Sequence, residues 1–307
     1  MSERWSAILL AGPTASGKSR LALELAQRFA GTVINADSMQ VYDGLSILTA
    51  RPDEADLSAA PHRLYGHVDP ASVYSAGAWL RDLEPVVAEV RAAGRLPILC
   101  GGTGLYFRAV AGGLDPMPVV PDEVRARWRA RHEVEGSAAL HAVLANRDAQ
   151  AATRIGPSDA QRILRALELI EATGEPLSRV QTGAGTPLIE GERALKLVLA
   201  PDRAVLRRRI AERFAAMVAA GALEEVAAFR KRPGAMTGGA SRAIGLAELG
   251  AHLDGQIGLQ DALERSTTRT RQYAKRQETW FRHQLDASWR RLGDASQLAT
   301  TELSRSP

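Results

Sequence analysis

Two rhythms of apolar and polar positions run through the chain. Short apolar or β-branched runs predict buried strands at Ala7-Ile8-Leu9-Leu10-Ala11, Gly31-Thr32-Val33-Ile34-Asn35, Leu96-Pro97-Ile98-Leu99-Cys100 and Leu195-Lys196-Leu197-Val198-Leu199. Between them, apolar residues recur three and four apart. That spacing predicts helices over 21–26, 76–93, 203–220, 223–230, 241–253 and 259–283. Pro85 inside the second of these predicts a kink or a restart. The polar, turn-rich stretch 51–61 is expected to be a loop. After the Pro116–Pro121 punctuation only the helical rhythm remains, over 122–135, 137–146 and 159–173. Asp159 reads as the N-cap of the last, and Gly174 with Pro176 as its stop. A flexible connection is expected at 182–187, and a frayed tail from Ala295.

Strands alternating with helices imply an α/β fold with a parallel sheet flanked by helices. The purely helical stretch implies an inserted helical domain. The boundaries drawn are 1–117 and 190–307 for the core and 118–189 for the insertion.

Chemistry enters at the ends of the strands. The first strand runs into Gly12-Pro13-Thr14-Ala15-Ser16-Gly17-Lys18-Ser19 and then a helix, the context a phosphate-binding P-loop requires. Such a loop aims backbone N–H groups inward at a helix start, Lys18 adds a cation, and the Ser19 hydroxyl can hold Mg²⁺. Nucleotide-binding and ATP-binding proteins share this loop, so it does not name the phosphate compound. Asp37 leaves the second strand beside the same crevice. It can bind Mg²⁺, take a proton from a nucleophile, or cap a turn. Thr103, in Gly101-Gly102-Thr103-Gly104, can face an anion or cap a helix. Arg209 and Arg213 share a helix face, aimed at a diphosphate or solvated. The irregular trio His62, His67 and Asp69 is not read as a metal site.

Composition narrows the class. At 45% hydrophobic and 24% charged, 307 residues make an ordinary globular protein. A single cysteine, Cys100, excludes a disulfide framework within the chain and is expected to be core. Met1–Trp5 does not read as a signal peptide, and no apolar run approaches membrane-spanning length, so a cytoplasmic, non-membrane protein is expected. Net charge is only +4. However, Arg265, Arg269, Arg271, Lys275, Arg276, Arg282, Arg290 and Arg291 face only Glu278 and Asp286 in their stretch. That is a surface for a polyanion or a solvated helix. The interleaved Tyr273, Trp280 and Phe281 suit stacking on bases, though docking onto the core is the better reading.

The motifs together resemble the tRNA dimethylallyltransferase family, also called isopentenyl-diphosphate:tRNA isopentenyltransferases. The resemblance is carried by the loop at 12–19, Asp-Ser-Met-Gln-Val-Tyr at 37–42 and Pro-Ile-Leu-Cys-Gly-Gly-Thr-Gly-Leu-Tyr-Phe at 97–107. Asp-Ala-Gln-Arg-Ile-Leu-Arg-Ala-Leu-Glu at 159–168 and Arg-Gln-Tyr-Ala-Lys-Arg-Gln-Glu-Thr-Trp-Phe-Arg at 271–282 complete it. It implies a P-loop NTPase-like core, a need for Mg²⁺ at Ser19, and a monomer. The implied reaction moves a dimethylallyl group from dimethylallyl diphosphate to the exocyclic amine of the adenosine 3′ of the anticodon. By the same resemblance Asp37 is the general base, and Thr103 stands between leaving group and nucleophile. Gly12, Pro13, Thr14, Ala15, Ser16, Gly17, Lys18, Ser19 and Arg213 hold the diphosphate. The tRNA anticodon stem-loop is met by Asp37, Ser38, Met39, Gln40, Thr103, Arg125, Gln161, Arg162, Ile163, Leu164, Arg165, Arg242, Ala243, Ile244, Gly245, Leu246 and Ala247.

Four positions depart from the family pattern: Ser19 for Thr, Asp43 for a basic residue, Leu48 for Gly, and Leu246 for Tyr. The last three are expected to affect tRNA affinity more than the diphosphate chemistry. A prenyltransferase acting on free adenine nucleotide, a small-molecule P-loop kinase and a non-catalytic RNA-binding protein remain as competing readings.

Overall fold

The computed structural model describes residues 5–115, 117–181 and 185–298. Six strands, β1 (Ala7–Ala11), β2 (Gly31–Asn35), β3 (His62–Arg63), β4 (Leu96–Gly101), β5 (Ala194–Leu199) and β6 (Arg290–Leu292), form one sheet in the order β3-β2-β4-β1-β5-β6. Every pairing is parallel. β1, β2 and β4 are buried along their whole length, which is why they read as continuous apolar runs rather than alternating ones. Ile8, Leu10, Val33, Ile98 and Cys100 pack on one face with Leu21, Ala22 and Leu25 of α1 (Lys18–Arg28). Leu9, Ile34 and Leu99 face a larger core on the other side. That core is completed by α3 (Ala76–Ala92), α4 (Gly104–Gly112), α9 (Arg203–Ala219), α10 (Ala222–Phe229), α11 (Leu246–Leu253) and α12 (Leu259–Gln284).

The chain divides into two compact units, Met1–Gly112 with Pro187–Pro307, and Gly113–Thr186. The second has its own core, in which Trp128, Leu140, Leu144, Ile163 and Leu167 are buried. Its helices are α5 (Asp122–Arg147), α6 (Ala149–Arg154), α7 (Ala160–Thr173) and the short α8 (Leu177–Val180). Asp159 caps α7 by accepting from the Arg162 N–H, and Gly174 ends it at φ 73°. A break at Gly136, φ 77° and ψ 170°, splits α5 into the two helices expected from the pattern.

The structure corrects three readings and adds short elements the pattern does not predict. The stretch 51–61 contains α2 (Glu54–Ala59), started by an Asp53 capping box with Asp56. Its six residues bury nothing, so hydrophobic periodicity could not reveal it. α3 runs unbroken through Pro85. The 241–253 helix is instead a 3₁₀ turn at Gly239–Arg242 followed by α11, with Gly245 at φ 97° between them. β6 and α6 were not anticipated, being too short to show a period. Of the expected connection at 182–187, residues 182–184 lie outside the described residues, as do 299–307 of the tail.

Candidate functional site

Because the sheet is parallel, β1, β2 and β4 all end at one edge. Ala11 is in register with Gly101, and Asn35 with Cys100. The three loops that follow therefore converge: the phosphate loop, Asp37–Gln40, and Gly102–Thr103. Gly101 permits the closest approach, since a Cβ there would lie 2.0 Å from the Ala36 carbonyl oxygen. Ala36 N–H donates to the Cys100 carbonyl at 2.9 Å, and Thr103 N–H to the Ala36 carbonyl at 3.2 Å.

The phosphate loop holds Ala15 at φ 63° and Gly17 at φ 92°. A non-glycine residue in the left-handed region carries strain, which clusters at ligand sites. No side chain caps α1, so its first N–H groups stay available to an anion. The Ser16 hydroxyl is buried without a partner among the described residues. Lys18 Nζ folds back to donate to the Pro13 carbonyl at 3.3 Å. Arg213 donates to the Thr14 hydroxyl and Arg209, though exposed, to the Ser16 carbonyl at 3.3 Å, so both guanidiniums reach the loop.

Burial lowers the pKa of Lys18, against the opposing pull of Cys100 and Asp37. Burial likewise lowers Arg213, again with Asp37 opposing. Two desolvated cations thus share one carboxylate, an arrangement short of negative charge. Asp37 itself is held by Asn35, which is fully buried. Asp37 N–H donates to Asn35 Oδ1 at 2.8 Å, while Asn35 Nδ2 donates to the carbonyls of Asp37 and Leu64, each at 3.0 Å. Asp37 Oδ1 accepts from the Met39 N–H at 2.9 Å. Thr103 Oγ1 accepts from the Ser38 N–H at 2.8 Å and donates to Ser38 Oγ at 3.2 Å. The Gln40 amide donates to the Thr49 and Ala50 carbonyls at 2.9 and 2.7 Å.

α12 closes the back of the site. Gln277, 5% exposed, accepts from the Thr14 N–H and donates to the Gly102 carbonyl, both at 2.9 Å. The Tyr273 hydroxyl reaches Thr103 and Gln277, and burial drives its pKa upward. Phe281 is buried and Trp280 packs on Gly104, so these aromatics dock the helix. Outward, Lys275, Arg276 and His283 line an open groove with Trp280. Gln277 and Asn35 are not singled out by the sequence, and Tyr273 enters there only among the interleaved aromatics. Gln277 lies within the 271–282 motif, but only the fold brings it to Thr14.

The segment 242–247 lies at the start of α11. Leu246 and Ala243 are buried, and Arg242 and Ala247 are exposed. Glu248 accepts from the Gly245 N–H at 3.1 Å and from Arg269 of α12, fastening this segment. In the second unit, Gln161, Arg162, Ile163, Leu164 and Arg165 begin α7, with Ile163 fully buried. Burial lowers the Arg165 pKa, opposed by its partner Glu168 at 3.7 Å, while Arg125 adds to the lowering.

The departures have structural reasons. Asp43 pairs with Arg232 at 3.0 Å and Arg51 at 3.8 Å. Leu48 is buried against Gly245 and Leu246 is fully buried, so both are core. His62 Nδ1 is engaged with the Ala60 carbonyl at 2.9 Å, and His67 Nε2 with the Tyr74 hydroxyl at 3.2 Å.

For a divalent cation, no group of three His, Cys, Asp or Glu side chains is gathered among the described residues. The Ser19 hydroxyl, exposed in the first turn of α1, makes no hydrogen bond among them. One protein oxygen, with diphosphate oxygens and water completing the shell, is what Mg²⁺ accepts. The residues fit it.

A family model described as IPP transferase matches residues 40–284. A tRNA dimethylallyltransferase of Allorhizobium ampelinum is 50% identical over 296 residues, spanning 96% of this chain and 97% of that one. The one from Rhizobium meliloti is 51% identical over 294 residues, spanning 95% and 96%. Among solved structures, a eukaryotic dimethylallyltransferase captured acting on tRNA superimposes with a TM-score of 0.78 at 29% identity, covering 97% of this chain and 77% of that chain. A full-length tRNA isopentenylpyrophosphate transferase from Bacillus halodurans gives 0.67 at 32% identity, covering 98% and 92%.

Proposed function

The chain belongs to the IPP transferase family, and from that premise we propose how its residues carry out the family's prenyl transfer to tRNA. The reaction moves a dimethylallyl group from its diphosphate to the exocyclic amine of the adenosine 3′ of the anticodon. A carbon–oxygen bond breaks, a carbon–nitrogen bond forms, and the amine loses a proton. The observation that carries this reading is the convergence, at one edge of the sheet, of the phosphate loop with Lys18 and Arg213 and the loops that bear Asp37 and Thr103.

The adenine amine is a weak nucleophile because its lone pair is delocalised into the ring. Asp37 accepts its proton as the bond forms, help typically worth ~10²–10⁴-fold. Negative charge grows on the departing diphosphate. The loop N–H groups not bonded within the protein, those at the start of α1, meet that charge together with the Lys18 and Arg213 side chains, so little reorganisation is needed. Thr103 Oγ1 is held by the Ser38 N–H, and its one proton turns from Ser38 Oγ to the departing oxygen. Ser19 would hold Mg²⁺, which supplies further neutralisation of the diphosphate when bound.

For tRNA we assign Asp37–Gln40, Thr103 and Arg242–Ala247 to the core, and Arg125 with Gln161–Arg165 to the insertion at 118–189. The target base must leave its stack, at a cost of a few kcal/mol, which phosphate contacts from arginines offset. The outward groove of α12 adds cations and an indole of the kind RNA favours. No described helix is long and apolar enough to cross a membrane. A monomer in the cytoplasm, where tRNA is modified, is our reading.

The test is incubation with unmodified tRNA, dimethylallyl diphosphate and Mg²⁺, followed by mass spectrometry of the nucleosides. Adenosine carrying one five-carbon unit is expected with the tRNA and not with free adenine nucleotide. Asp37→Ala and Thr103→Ala should each slow single turnover at least about tenfold, ~1.4 kcal/mol of barrier. Unchanged rates would remove both residues from their roles.

A further inference from the structure

We propose that Gln277 is a positioning residue, whose carboxamide sets the spacing between the phosphate loop and the Thr103 loop. The inference rests on the dimethylallyl-transfer reading. Its amide orientation is unambiguous. The Thr14 N–H can only donate, so Oε1 faces it at 2.9 Å. The Gly102 carbonyl can only accept, so Nε2 faces that at 2.9 Å. Neither contact has slack, because the side chain is 5% exposed. A Cβ on Gly102 would stand 2.2 Å from Gln277 Nε2 and 3.2 Å from Asp37 Oδ2, so the amide and the carboxylate that receives the proton border the same glycine.

A continuous chain of contacts follows. Arg213 donates to the Thr14 hydroxyl, Thr14 to Gln277, and Gln277 to Gly102. Thr103, next in sequence, then meets Ser38. Tyr273, one helical turn before Gln277, reaches both Thr103 and Gln277. The leaving-group side and the acceptor side are thereby joined by one buried amide on a third element. The Thr14 N–H is already committed, so the N–H groups left for diphosphate come from later in the loop. Gln277 acts through Thr14 and Thr103, and a misplacement of about 1 Å between reacting groups costs ~10²-fold in rate.

The experiment is a double-mutant cycle of Gln277→Met, similar in length but without the amide, with Thr103→Ala. Single-turnover prenyl transfer is read beside calorimetric binding of inorganic diphosphate with Mg²⁺. Expected is a rate loss of at least about 30-fold for Gln277→Met, with diphosphate affinity within roughly threefold, and a loss below about threefold when Thr103 is already Ala. The same loss in both backgrounds, or affinity falling in step with rate, would overturn the proposal. Should Gln277→Met not fold, Tyr273→Phe removes a single hydroxyl. It should slow wild type by about three- to tenfold and the Thr103→Ala protein hardly at all, whereas an equal effect in both overturns the coupling. If the wild type makes no prenylated adenosine, the functional reading has failed. If it does and the cycle is additive, only this inference has.

Discussion

At the residue scale, the phosphate site is built against the stability of the fold. Lys18 is a cation whose burial lowers its pKa, so the folded state favours the neutral amine more than the unfolded chain does. Below that lowered pKa, the ammonium's desolvation is a cost. It is shed only as pH rises through the folded value. Lys18→Met should therefore raise the melting temperature of the empty protein while removing the stabilisation that diphosphate gives the wild type, as seen by thermal unfolding with and without diphosphate. Cys100 shows the opposite sign. Burial pushes its thiol up to about 12, so the folded state keeps a proton that the unfolded chain releases. Its contribution is complete below the ordinary thiol range and is lost as pH climbs toward 12. Urea midpoints should fall less steeply over that window in Cys100→Ala. Iodoacetamide should label the wild type only after denaturation.

At the element scale, what matters is how segments are fastened. The 242–247 segment breaks where a continuous helix was expected, because Gly245 sits at φ 97° against Leu48 and Phe214. A Cβ there would lie 2.8 Å from each of them. Gly245→Ala should cost roughly 1–3 kcal/mol in urea unfolding, through left-handed strain plus overpacking. Leu48 fills the space beside this glycine, which makes it a packing residue. Glu225 of α10 does similar work on 46–48, accepting from the Ser46 hydroxyl at 2.9 Å and from the N–H groups of Ile47 and Leu48 at 2.8 Å. The long helices were legible because each buries one stripe. α2, α6 and β6 were not, because their stability comes from caps and neighbours that no short window contains.

At the scale of the whole molecule, the two units each carry a hydrophobic core. The ends of the second are adjacent, since a Cβ on Gly113 would lie 2.3 Å from the Gly185 carbonyl carbon. Replacing 113–186 by a short Gly/Ser linker should leave a folded protein that binds diphosphate within about threefold of wild type, because linkers of that composition impose little strain. tRNA affinity should drop at least about tenfold, with a shallower salt dependence as the arginine contacts of α5 and α7 are lost. Calorimetry and filter binding at two salt concentrations check both.

Sequence alone determined what depends on local order. The buried strands, the amphipathic helices, the phosphate loop, the αL stop at Gly174 and the break in α5 follow from residues near one another in the chain. The family resemblance was equally available there, since it lies in contiguous motifs. Tertiary structure decided everything that depends on distant residues meeting. It turned Arg209 and Arg213 toward the loop, made Leu48 and Leu246 core, paired Asp43 with Arg232, and put the Gln277 amide between Thr14 and Gly102. Those contacts form only once parallel strands have carried their ends to one edge, and no periodicity along the chain encodes that meeting.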